Sequence, residues 1–543
     1  MLHRFTRSWA YVSLLVVATC LHPAAPAQGQ APVKQWDKVI GGSSQDQLWA
    51  VQPTRDGGYI LGGMSYSPIS GDKTQGSQGD SDYWVVKYSA SGTKQWDRTF
   101  GGSAGDDLRA LQQTPDGGYL LGGNSLSPIS GDKTQGSQGN ADFWVVKIDA
   151  SGAKQWDKRF GGLGNEQLYA VQNTSDGGYM LGGYSSSNAN GDRTQPTQGA
   201  ADYWVVKLDA TGAKQWDKRF GGSDNDVLTT LKPAAGGGYV LGGYSYSPIS
   251  GDQTQPRRGG SDYWLIKIDA GGNKQWDKRF GGAQYNDMWA LQLTSDGGYL
   301  LAGNSDSPVG GDKTQAGQGY EDYWVVKLDA SGTKQWDKTY GGRDKDMLTA
   351  VQQTPDGGYL LGGTSRSWVS GTKTQANQGA EDYWVVKIDA NGGQQWDLTL
   401  GGNNADNLTD LQQTSDGGYL LGGYSHSGVN ADKTQPSLGG QDFWLVKLSG
   451  SATTATTAPL APRHLQLHPN PAQERITLRL ADAPRGRLRL RLHDATGRVV
   501  LTRSFVHGGA QESVELGPQP AGLYLVRVEG PTGYLATQRL VVE

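Results

Sequence analysis

The chain repeats itself every 60 residues without a slip, and this constrains the fold more than any other feature. Lys-Gln-Trp-Asp or a near copy recurs with its tryptophan at Trp36, Trp96, Trp156, Trp216, Trp276, Trp336 and Trp396. A second tryptophan sits in Asp-Tyr/Phe-Trp at Trp84, Trp144, Trp204, Trp264, Trp324, Trp384 and Trp444. Periods of this length belong to blades, solenoids or arrays. In one copy, four runs rich in apolar or aromatic residues are bounded by Gly, Asp or Ser and read as strands: Leu108–Gln112, Gly118–Asn124, Asp142–Asp149 and Lys154–Phe160. Short glycine-containing turns join the first to the second and the third to the fourth, a hairpin signal. Four strands per repeat make a propeller blade.

The array opens on Lys34-Gln35-Trp36-Asp37, a fourth strand alone, and stops after Asp442–Lys447, a third strand. The complementary ends predict an all-β fold: a seven-bladed β-propeller of four-stranded blades, in which the N-terminal strand completes the blade built from residues 406–447. Such closure leaves no unpaired edge at the seam. The fourteen tryptophans are expected to dock neighbouring blades, because buried aromatics dominate core energetics. Gly at 82 residues and only 36% hydrophobic residues suit many short strands and tight turns. A net charge of -4, with both signs spread along the chain, gives no footprint for nucleic acid.

Residues 1–27 read as a signal peptide: Arg4 and Arg7, an apolar run from Trp9 to Leu21, and Ala25-Pro26-Ala27 as a small-x-small cleavage site. Cleavage there removes Cys20, the only cysteine, whose lipidation after Thr19 is the alternative. The mature chain then has no disulfide and no transmembrane helix. The propeller is assigned to residues 28–449 and a flexible Ala/Thr linker to 450–461. Alternating runs in 462–543 read as a small C-terminal β-sandwich.

Two resemblances rest on these residues. Asp149-Ala150-Ser151-Gly152-Ala153-Lys154-Gln155-Trp156 looks like the docking motif of quinoprotein propellers, and the wider Asp-Gly-Gly-Tyr and Asp-Tyr-Trp unit over 34–449 is similar to secreted bacterial seven-bladed propeller repeats. The tail resembles the sorting domain of type IX secretion cargo in Bacteroidetes. It carries Leu467-His468-Pro469-Asn470-Pro471-Ala472, Asp494-Ala495-Thr496-Gly497-Arg498, Ala521-Gly522-Leu523-Tyr524 and Gln538-Arg539-Leu540-Val541-Val542 in order, with Arg539 where Lys is commoner. That resemblance implies engagement of the type IX secretion machinery, removal of the tail near the linker, and release or attachment at the outer cell surface.

The repeat array holds no cysteine and one histidine, His426, so neither a His/Cys zinc site nor a Ser-His-Asp triad assembles readily. Carboxylates recur in phase at Asp46, Asp106, Glu166, Asp226, Asp346 and Asp406, and again at Asp56, Asp116, Asp176, Asp296, Asp356 and Asp416, which favours strand-end and turn hydrogen bonding. No cofactor is expected. Gly-Asp-Lys-Thr-Gln is considered as a Ca²⁺ loop, but its lysine and lack of alternating carboxylates speak against it. Every blade carries a long connection between its second and third strands, and uniformly long loops are often functional. One face is therefore elaborated, and its candidate binding residues are Tyr66, Tyr246, Arg257, Arg258, Tyr285, Tyr320, Arg366 and Trp368, aromatics and arginines that stand apart from the repeat. The expected function is monomeric, non-catalytic binding of an extracellular glycan or protein. A polysaccharide-active or quinone-type enzyme and a purely structural surface component are the alternatives.

Overall fold

The computed structural model describes residues 31–234, 236–450, 465–480, 486–494, 499–508, 511–529 and 535–543. The expected signal peptide, Cys20 and most of the linker lie outside the described residues. By contacts the chain divides into two compact units, Met1–Ala452 and Thr453–Glu543. Among the described residues there is no helix.

The first unit consists of seven antiparallel four-stranded sheets, numbered I to VII here. Sheet I runs Asp46–Pro53, Tyr59–Ser65, Asp82–Tyr88 and Lys94–Phe100. Sheets II to VI repeat this pattern. Sheet VII joins Asp406–Gln413, Tyr419–Ser425 and Asp442–Leu448 to Lys34–Ile40, with Val39 opposite Trp444 and Ile40 opposite Phe443.

The two central strands of each sheet read as nearly continuous apolar runs because they are covered on both faces; Tyr59–Ser65 and Asp82–Tyr88 are buried throughout. The glycine pair in the second strand leaves no room for side chains. A Cβ on Gly62 would lie 2.5 Å from Leu111 of sheet II, whereas Gly63 serves its own sheet, where a Cβ would lie 2.0 Å from the Gln47 carbonyl oxygen of the neighbouring strand. Each interface is filled by an aromatic pair. Tyr83 meets Trp144 with ring centroids 4.8 Å apart, and pairs in the same phase follow from Phe143–Trp204 to Tyr383–Trp444. The set is completed by Phe443 of sheet VII against Trp84 of sheet I, also at 4.8 Å.

The two expected tryptophan sets differ in depth. Trp84 and its six counterparts are fully buried, whereas Trp36 and its counterparts are half-buried apart from Trp396. The half-buried ring still packs across an interface: Trp36 stacks on Tyr59, and Trp96, Trp156 and Trp276 lie against Tyr119, Tyr179 and Tyr299.

The second unit has a three-stranded sheet, Leu465–His468, Arg475–Leu480 and Gln511–Glu515, and a four-stranded sheet, Val499–His507, Gly486–His493, Gly522–Glu529 and Leu535–Val542. Both contribute to one apolar core that includes Ile476, Leu478, Leu490 and Val526. The start and end of the tail are stitched together: Ala472 N donates to the Val541 carbonyl at 2.8 Å, and Val541 N to Asn470 Oδ1 at 2.8 Å.

Candidate functional site

The first strand of every sheet contains a bulge. In sheet I, Leu48 opposes Gly63 and Ala50 opposes Gly62, so Trp49 between them is left out of the pairing. The same shift occurs at Arg109, Tyr169, Thr229, Trp289, Thr349 and Thr409. A bulge re-aims its extra residue, and here all seven extra residues line one cavity of about 380 Å³ walled by the first strands. The residues that follow, such as Ala50 and Gln52, complete the wall.

At the end facing the long connections, the cavity is aromatic. The Tyr169 centroid lies 6.2 Å from Tyr184 and 6.5 Å from Trp289. Tyr244 is 6.0 Å from Trp289 and 6.0 Å from Tyr246, which is 6.3 Å from Tyr285. On the other side, the Arg109 guanidinium sits 4.2 Å over the Trp49 ring, and Trp49 is 6.1 Å from Tyr424. Thr229, Thr349 and Thr409 instead donate their hydroxyls to carbonyls of the next sheet, Met288, Leu408 and Leu48, at 2.8–2.9 Å. Large side chains at the bulge thus face the cavity, and threonines tie sheets together.

Deeper in, a tier of glutamines recurs at Gln52, Gln112, Gln172, Gln292, Gln352 and Gln412, with Lys232 in the seventh place. Gln52 Oε1 accepts from Gln113 N at 2.7 Å and Gln352 Oε1 from Gln413 N at 2.6 Å, which leaves their amide N–H groups for the cavity. Asp410 replaces alanine in sheet VII. Its carboxylate is engaged by Val51 N at 2.9 Å, Leu411 N at 2.8 Å and Gln412 Nε2 at 3.2 Å, and desolvation pushes it up to about 6. Desolvation also holds the Lys232 ammonium below the usual lysine range, with Asp410 opposing the shift.

The structure gathers some of the sequence-selected residues and separates others. Tyr246 and Tyr285 join the aromatic group. Arg257 Nη1 donates to the Tyr246 carbonyl at 2.6 Å. Arg258 is committed to Asp312 at 2.9 Å, and Arg366 to Glu381 at 2.6 Å. Tyr66, Tyr320 and Trp368 are exposed, and no aromatic pair joins them to the cavity group. Trp49, Arg109, Tyr169, Tyr184, Tyr244, Trp289 and Tyr424 were not selected, although a signal existed. Subtracting the fourteen framework tryptophans from the 18 in the chain leaves Trp9, Trp49, Trp289 and Trp368.

The in-phase carboxylates form scaffolding. The turn aspartates take up lysines of the third strand, as in Asp56–Lys87 and Asp116–Lys147 at 2.8 Å. Deeper down, pairs of acids face each other between sheets, such as Asp82 and Asp106, each with Oδ1 buried and unpartnered. Desolvation, with the Asp106 charge beside it, pushes Asp82 up to about 7. The Gly-Asp-Lys-Thr-Gln loop turns its lysine inward: buried Lys73 Nζ donates to Ser65 Oγ at 2.8 Å and Ser77 Oγ at 3.0 Å, so an ammonium occupies the polar centre of that loop.

Residues 466–543 match the secretion system C-terminal sorting domain. Among curated proteins, the chain is similar to the regulatory protein FlaEY of Caulobacter vibrioides, 23% identical over 460 residues, which is 76% of this chain and 47% of that protein. The chain thus spans about half the length of that relative. Among solved structures, it is similar to the extracellular domain of a hybrid two-component system of B. thetaiotaomicron, at 9% identity and TM-score 0.40 over 94% of this chain and 60% of that one. It is also similar to Sqt1 of Chaetomium thermophilum, at 12% identity and TM-score 0.38 over 76% of this chain and all of that one. The C-terminal unit belongs to the secretion system sorting domains, and it marks an array of repeated four-stranded sheets for export to the outer membrane or cell surface.

Proposed function

We propose that this protein is a type IX secretion cargo whose repeats form a seven-bladed β-propeller, closed by its N-terminal strand, and that it captures an extracellular glycan without catalysis. Pairing of Lys34–Ile40 with Asp442–Leu448 and the Phe443–Trp84 contact support the closed ring. The exported chain begins after Ala27, and the tail engages the secretion machinery before release or surface attachment.

The observation that carries the binding reading is the aromatic group at the bulges. Four of seven bulge residues are Trp, Tyr or Arg and line one cavity, and Tyr184, Tyr244 and Tyr246 extend their ring group. Apolar rings flanked by amide and hydroxyl groups suit a sugar, whose C–H faces stack while its hydroxyls hydrogen-bond. Threonine already occupies the bulge in three sheets, so Trp289→Thr removes a ring without disturbing the strand. Glycan-array binding by the purified full chain is expected, with loss of the signal in Trp289→Thr. An array without any bound glycan overturns the reading.

A further inference from the structure

The cavity is unbalanced in charge, with Arg109 and Lys232 against the single carboxylate of Asp410. Trp49 Nε1 and Arg109 Nε are buried without a hydrogen-bond partner. The amide N–H groups of Gln52 and Gln352 and the Lys232 ammonium add further donors. Gln172 and Gln292 are turned the other way, their Nε2 donating to the Asn173 and Leu293 carbonyls at 3.4 and 2.6 Å. Both oxygens of Asp410 are engaged by the cavity wall, and the carbonyl oxygens of Gln52 and Gln352 by the next sheet. Asp107, the acid beside Arg109, stays 3.9 Å from its Nη2 and takes the Ser81 hydroxyl at 2.9 Å. Burying a donor without a partner is costly, so acceptors are what Trp49 Nε1 and Arg109 Nε lack. The charged residues in the lining are two cations, Arg109 and Lys232, and the single carboxylate of Asp410.

Building on the glycan reading, we propose that the cavity selects an acidic sugar, with the carboxylate of a uronate unit on Arg109 and the Trp49 indole N–H while the sugar ring stacks on the Tyr169–Trp289–Tyr244 group. The geometry suits this division of labour. Arg109 is fixed flat over Trp49, and charge-assisted bonds from guanidinium to carboxylate are stronger than neutral ones. Lys232 stands among the glutamines, where a second negative group or a ring oxygen is received. Neutral sugars meet the same rings and offer hydroxyl oxygens, but bring no charge to set against Arg109.

The test is calorimetric titration of the full chain with oligogalacturonate and oligomannuronate, against neutral xylo- and gluco-oligosaccharides of equal length. Substitutions are taken from the other repeats, so the scaffold tolerates them: Arg109→Thr matches Thr229, and Lys232→Gln matches Gln292. Uronates are expected to bind at least about tenfold more tightly than neutral chains, with Arg109→Thr abolishing that preference. Equal affinity for acidic and neutral chains, or a uronate preference that survives Arg109→Thr, overturns the inference and leaves the glycan reading standing. Absence of binding to every oligosaccharide overturns both.

Discussion

Trp444 donates its indole N–H to the carboxylate of Asp37 at 3.2 Å, across 407 positions of sequence. The same bond elsewhere joins residues 13 apart, as in Trp204 to Asp217 at 3.1 Å. Asp37 also accepts from Thr434 N at 2.9 Å and Thr434 Oγ1 at 2.7 Å, as Asp97 does from Thr74. Sheet VII is therefore joined by the same parts as a continuous sheet.

Asp37→Ala should cost as much as Asp217→Ala. Each removes a buried charged acceptor and strands an indole donor, a loss of about 3 kcal/mol. Urea denaturation followed by tryptophan fluorescence measures it, and wild-type behaviour of Asp37→Ala would show that the two ends do not carry the seam.

The two tryptophan positions should separate in energy. Trp204 is fully buried, so Trp204→Ala is expected to cost about 3–5 kcal/mol. Trp216 is half-buried against Tyr239 and its neighbours, and its truncation should cost less than half as much. Equal losses would mean that solvent exposure does not set the contribution of these rings.

Stability should peak in mild acid. Desolvation and a neighbouring carboxylate raise Asp82 to about 7 and Asp322, Asp382 and Asp442 to about 6. Between about pH 4 and 7 the native chain thus keeps protons that the unfolded chain has released, and stability declines as pH rises through that window. Turn aspartates act in the opposite sense. At Asp56, Asp116 and Asp296, desolvation is outweighed by hydrogen bonds from lysine, threonine and glycine N–H, giving values of about 2, so their contribution is lost as pH falls from about 4 toward 2. Scanning calorimetry should find the highest melting temperature between about pH 4 and 6. Asp106→Asn, which copies Asn286, should flatten the alkaline decline. A melting temperature that climbs steadily from pH 5 to 8 contradicts this account.

Sheet IV solves the buried-cation problem differently, and the difference is transferable. Gln253 stands where sheet I has Lys73, and fully buried Arg279 pairs with Asp262 at 2.7 Å where sheet I has Thr99. Lys73→Gln should lose about 3 kcal/mol by leaving Asp46 and Asp82 without their cation, and adding Thr99→Arg should restore most of it. A double variant no more stable than the single would show that the two solutions are not interchangeable. Urea titration of the three chains decides.

The strands and their order were legible because the period-60 pattern lets each copy vote on the others. The tail was legible through its ordered motifs. The cavity was harder to read. Departure from the repeat points to loop residues such as Tyr66, Tyr320, Trp368, Arg258 and Arg366, and both arginines are paired with carboxylates. The bulge position that lines the cavity sits inside a strand, where Leu48 and Ala50 look like ordinary alternating residues. Only the register shows that Trp49 is the surplus residue between them.

The bulge separates what the repeats must share from what each can change. A residue outside the ladder contributes little to the pairing of its neighbours, so each copy offers one position that can be rewritten while the surrounding 59 residues keep their structural duties. The lining can thus be altered one wall at a time. Trp, Arg, Tyr, Thr, Trp, Thr and Thr in chain order form a seven-letter word on an otherwise repetitive frame, and proteins sharing the frame can be compared by that word alone.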